Sequence, residues 1–124
     1  MNEKLFQNIF EKIQDVLPHD WKRVMFYAGY TKGSYSMKYY VDNGDGYIDC
    51  FNLGNIKKTQ LIQLFMSIDK IISCERKSLE ENNKWTVLSM FVSSDGMVKT
   101  EFDYTDISEN IISYENKWKQ KYLK

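Results

Sequence analysis

The sequence predicts an α+β fold, a single domain over 1–124. An antiparallel sheet of about five strands carries packed helices, in the order α-β-β-β-α-β-β-α. Three observations predict it. Two stretches carry apolar residues at three- and four-residue spacings, which is helical periodicity. Two other stretches alternate in period two and are broken by short Gly-containing turns, which is the mark of hairpins. Trp85 to Val92 is apolar on both of its alternating faces, as an interior strand must be.

The elements follow in order. Leu5, Phe6, Ile9, Phe10, Ile13, Val16 and Leu17 form one stripe of a first helix that Asn2 can cap and Pro18 stops. Arg23 to Tyr30 reads as a strand with Val24, Phe26, Ala28 and Tyr30 on one face. Lys32-Gly33 turn the chain into a return strand, Ser34 to Val41. Asp42 to Gly46 turns it again into a short strand, Tyr47 to Phe51. A long helix over Ile56 to Leu79 buries Leu61, Leu64, Phe65, Ile68, Ile71, Ile72 and Leu79 against the sheet. Glu80 to Lys84 is a polar loop. The hairpin Trp85 to Asp106 turns at Ser94-Asp95-Gly96, where Gly accepts a positive φ. Past that turn Val98, Thr100, Phe102 and Tyr104 make a face to be buried, and Lys99, Glu101 and Asp103 a wet one. A last helix follows Ser113 and carries Trp118 and Tyr122.

Composition excludes several classes. A hydrophobic fraction of 43% and an aromatic fraction of 15% do not suit a disordered chain. With 17 basic and 17 acidic side chains there is no basic excess for neutralising phosphates, so no direct nucleic-acid binding is expected. No run approaches the length of a membrane span, and MNEKLFQNIFEKIQ has no continuous apolar core of a secretory signal. No membrane association is expected, and the cytoplasm is the expected location. Cys50 and Cys74 lack CxxC partners and read as two buried free thiols.

Several constellations tempt a catalytic or metal reading. Asp42 to Asp49, DNGDGYID, resembles part of a calcium loop, but aligning Gly46 with the sixth position puts Val41 at the first and Asn52 at the twelfth. A turn between two strands explains it better. His19 is the only histidine and has no zinc partners at useful spacing. Glu101, Asp103 and Asp106 have no histidine or cationic partner in sequence that would make an acid–base pair. No catalytic residue, metal or cofactor is expected. The aromatics point elsewhere: nine tyrosines, seven phenylalanines and three tryptophans exceed what one small core easily hides. Tyr39 and Tyr40 must face opposite sides of a strand, so some rings lie at a surface or under a terminal helix. Tyrosine and tryptophan at a surface suit protein binding.

Four stretches, LPHDWKRVMFYAGY, KGSYSMKYYV, WTVLSMFVSSDGMVKTEFDYTDI and ENKWKQKYL, give the chain a resemblance to the YezG-like immunity proteins. These are bacterial antitoxins paired with polymorphic toxins, including nucleases exported by type VII secretion. The stretches occur in the family's order and cover most of the chain, whereas 44–83 is the least distinctive part. The resemblance implies a non-enzymatic inhibitor inside the cell that sequesters the catalytic domain of a cognate toxin. Tyr39, Glu101, Asp103, Tyr104 and Asp106 are the expected toxin contacts, the carboxylates standing where substrate phosphates would lie. An adaptor module using the same sheet face for another partner is the alternative, and a small hydrolase is a further one. Residues alone leave the oligomeric state open.

Overall fold

The computed structural model describes residues 3–54, 56–80 and 84–123. It contains three α-helices and a five-stranded antiparallel sheet, in the expected order. The chain forms two compact units, Met1–His19 with Phe51–Lys84, and Asp20–Cys50 with Trp85–Lys124.

The first unit is helical. α1 (Glu3–Gln14) buries Leu5, Phe6, Ile9 and Ile13, four of the seven residues of the expected stripe. Its end tightens through Val16 N–H to Ile13 O (3.0 Å) before Pro18 forbids another turn. The expected cap Asn2, like 81–83 of the polar loop, lies outside the described residues. α2 (Lys58–Lys77) packs on α1 and buries Leu61, Leu64, Phe65, Ile68 and Ile72. At its start Gln60 Oε1 accepts the Lys57 N–H at 2.9 Å, satisfying one of the orphan donors of a helix end. At its other end Ser78 Oγ donates to Glu75 O at 2.7 Å, with Arg76 and Lys77 placed favourably on the helix dipole. One thiol departs from expectation. Cys50 is buried but Cys74 is exposed, because two residues past Ile72 a side chain has turned about 200° from the buried stripe.

The second unit holds the sheet, ordered β3-β2-β1-β4-β5: β1 (Arg23–Thr31), β2 (Ser34–Asp42), β3 (Tyr47–Asp49), β4 (Val87–Ser93) and β5 (Val98–Asp103). The β1–β2 hairpin closes at Thr31↔Ser34 across Lys32-Gly33, with Gly33 at φ +81°. β3 is shorter than expected, because Cys50–Asn52 winds into a 3-10 turn. β4 is the expected interior strand, between β1 and β5, and is buried over most of its length.

Register assigns every strand residue to a face. Phe26 pairs with Tyr39 and Met90, and this face, with Val24, Ala28, Val41 and Leu88, is almost wholly buried. Met25 pairs with Tyr40 and Phe91, and Tyr27 with Ser89, on the other face. α3 (Ile111–Tyr122) covers that second face, beginning two residues before Ser113. Trp118, 4% exposed, stands edge-on to Tyr27 at 5.0 Å between centroids and lies 5.8 Å from Tyr40. Both sheet faces are therefore covered where Tyr27, Tyr39 and Tyr40 sit. Gly29 makes room for this packing, since a Cβ there would stand 2.5 Å from the Tyr27 hydroxyl.

Expectation fails in part along β5. Alternation places Val98 and Tyr104 on the face to be buried, yet both are at the surface, 55% and 58% exposed. β5 is the last strand of the sheet, so its outer ends lack the neighbour that would complete a two-sided cover.

Candidate functional site

α3 presents aromatic rings at four-residue intervals, Tyr114, Trp118 and Tyr122, so all three fall on one helix face. Each carries a polar tip that reaches the sheet. Tyr114 Oη–H donates to Asp103 Oδ2 at 2.6 Å, Trp118 Nε1–H to Ser89 Oγ at 2.8 Å, and Tyr122 Oη–H to Glu101 Oε2 at 2.5 Å. Sequence reasoning missed Tyr114 and all three bonds. The four-residue spacing was the available signal.

These bonds change the reading of the acidic strand face. Asp103 is half-buried and engaged twice over, because its Oδ1 also accepts the Thr105 N–H (2.9 Å) and hydroxyl (2.8 Å). Burial is the largest influence on its carboxyl and opposes charge, but the donors from Tyr114, Thr105 and Tyr104 together hold it below the usual carboxylate range. Glu101 stays 60% exposed, with Lys121 Nζ 3.8 Å away. Asp106 is exposed, and its Oδ1 accepts the Ser108 N–H at 3.0 Å and hydroxyl at 2.5 Å. Led by the Ser108 hydroxyl, these bonds lower its carboxyl as well. Asp103 and Asp106 thus each set a turn of the chain leaving β5. Thr86 Oγ1 fastens the same segment, its one hydroxyl proton shared between Thr105 O at 2.6 Å and Asp103 O at 3.0 Å.

Four of the five expected contact residues therefore lie together. Glu101 and Asp103 share the α3 side of β5, Tyr104 projects as an exposed ring, and Asp106 follows in the loop. Tyr39 does not join them. It is 0% exposed on β2, three strand spacings or about 14 Å from β5, and a ring with no exposed area touches no partner.

Two shallow grooves flank Tyr122. One of about 260 Å³ runs between α3 and β5 past Asp103, Tyr114, Lys117 and Lys121. The other, of about 290 Å³, is lined by Arg23, Met25, Tyr47, Phe91, Lys99 and Glu101. Arg23 is committed to Asp42 through both Nε and Nη2, and its guanidinium lies over the Tyr47 ring at 5.0 Å. Asp42 Oδ1 accepts the N–H groups of Gly44 (2.7 Å) and Gly46 (3.1 Å), so the calcium-like segment is a strand-joining turn folded around its own carboxylate. Among the described residues no three His, Cys, Asp or Glu side chains converge as a metal site, and no helix is long and apolar enough to cross a membrane.

A search of curated proteins returned no match. The model of the family described as "Immunity protein YezG-like" matches residues 2–124, nearly the whole chain, and the chain belongs to that family.

Proposed function

We propose that this immunity protein acts by binding the catalytic domain of a cognate toxin, and that 1–124 work as one inhibitory domain in the cytoplasm without catalysis of their own. The toxin is a nuclease in this reading, and it docks on the strand end formed by Glu101, Asp103, Tyr104 and Asp106. Family membership supports the immunity role. The observation that carries the surface assignment is Tyr104: a tyrosine 58% exposed, beside carboxylates, with no packing task that requires it there. An aromatic anchor bordered by charge matches the aromatic-rich core and polar rim of protein interfaces.

Roles divide within the patch. Asp103 holds α3 and the turn after β5, so it acts through shape, while Glu101 and Asp106 present charge to solvent. With a net charge of zero, attraction to a basic nuclease cleft arises from this local patch and not from the protein as a whole. The test separates the two contributions. Asp106→Lys slows association with the toxin domain and flattens its salt dependence, whereas Tyr104→Ala accelerates dissociation, by about 2 kcal/mol if the ring is a hot spot. Unchanged kinetics for both folded variants would remove this strand end from the interface. Unchanged protection of cells carrying the toxin would point the same way.

A further inference from the structure

Among the described residues β5 ends the sheet, and its outer backbone edge faces away from β4. The Ser93 N–H to Met97 O bond (2.9 Å) marks 93/97 as a hydrogen-bonded pair of the β4–β5 ladder. Antiparallel alternation then turns the backbone groups of Lys99 and Glu101 inward to β4, and those of Val98 and Thr100 outward. An outward row of N–H and C=O groups is a template for another strand. Met97 (51% exposed) and Val98 (55%) add apolar surface at this edge.

The sequence of β5, VKTEFD, is complementary to itself about Thr100. If two copies meet antiparallel with Thr100 opposite Thr100, the outward-facing positions align as hydrogen-bonded pairs. Lys99 then stands opposite Glu101 of the second copy, and Glu101 opposite its Lys99. On the other sheet face Val98 meets the Phe102 ring. The two charged pairs occupy non-hydrogen-bonded positions, where side chains across a ladder approach most closely. Shifting the register by one residue in either direction loses both the Lys–Glu match and the alignment of outward groups. Glu101 suits the role, since Tyr122 orients its carboxylate while leaving it 60% exposed.

We infer that β5 is a self-association edge: two copies of this chain join through antiparallel pairing of Val98–Phe102 about a twofold axis at Thr100, extending the sheet across the dimer. The interface is isologous, as a closed dimer requires. It does not rest on the toxin-binding reading, although the two share Glu101, and the exposed Tyr104 and Asp106 lie beyond the paired segment.

The test is a charge exchange. Sedimentation of the wild-type chain from low to several hundred micromolar should show a monomer–dimer equilibrium. Lys99→Glu alone and Glu101→Lys alone each set like charges opposite one another twice, and each should weaken self-association by roughly tenfold or more. Mixing the two variants restores both opposite-charge pairs and should give heterodimers, as should the double exchange Lys99→Glu/Glu101→Lys with itself. Recovery on mixing cannot come from variants that fail to fold. A wild type that stays monomeric over the whole range would overturn the proposal, including when the same substitutions weaken toxin binding, which would assign the edge to the toxin. A dimer indifferent to both charge changes would overturn it too, placing the contact on another face.

Discussion

Replacing Trp118 is the sharpest test of how α3 is held. The indole is 4% exposed, packs on Tyr27, Tyr40 and Tyr122 at centroid distances of 5.0, 5.8 and 5.1 Å, and donates to the buried Ser89 hydroxyl. Trp118→Ala removes all of that contact and leaves a cavity between the helix and the sheet, at a cost of about 3–5 kcal/mol. Trp118→Phe keeps most of the ring burial but orphans Ser89 Oγ, costing about 1–3 kcal/mol. Adding Ser89→Ala to Trp118→Phe should recover part of that loss, because no buried hydroxyl is then left without its donor. Urea unfolding followed by far-UV circular dichroism gives the global values, and amide exchange across 111–122 reports whether α3 loosens by itself. A Trp118→Ala protein within about 1 kcal/mol of wild type, with unchanged exchange in α3, would refute this account of the helix.

Other consequences are equally concrete. Leu64→Ala or Phe65→Ala, at positions 9% and 6% exposed, should each destabilise by about 2–5 kcal/mol in the same unfolding assay. The Arg23 guanidinium, then the Gly44 N–H, hold the Asp42 carboxyl below its usual range. A lowered folded value means the stabilisation is present above the unfolded pKa, about 3.9, and is lost as pH falls through the folded one. Asp42→Asn should thus be less stable than wild type by about 1–3 kcal/mol near neutrality, a gap that unfolding curves should show closing below about pH 4. Burial pushes the Cys50 thiol up to about 12, while Cys74 is exposed. A disulfide reagent should label Cys74 in the folded chain and reach Cys50 only on unfolding, as mass mapping would show.

The parts of the fold that could be read from sequence were those encoded in local periodicity. Val24, Phe26 and Ala28 share one face of β1 by its two-residue period, and Leu61, Leu64, Phe65 and Ile68 recur because α2 has one buried stripe. Even the tyrosine excess was half legible, since Tyr27 and Tyr40 do lie beneath the terminal helix. What local pattern does not encode is which long-range partner covers a face. Tyr39 and Tyr40 look alike in sequence, yet nothing nearby says that both sides of β2 are covered. Asp103 looked like a wet strand carboxylate because its donor, Tyr114, lies eleven positions away on another element. Val98 and Tyr104 follow the core face by alternation, which says which side a residue faces but not where the cover stops. Glu101, Asp103, Tyr104 and Asp106 could be placed near one strand end from sequence, while the division between turn-forming and exposed carboxylates required the geometry.

The central claim is that this chain neutralises a toxin by occupying its catalytic domain. Titrating the purified protein into the catalytic domain of a cognate toxin found by co-purification, while following that domain's activity, tests that most directly. The account predicts activity falling to background at stoichiometric protein, with Tyr104→Ala requiring a clear excess. Full activity at saturating wild-type protein would contradict it.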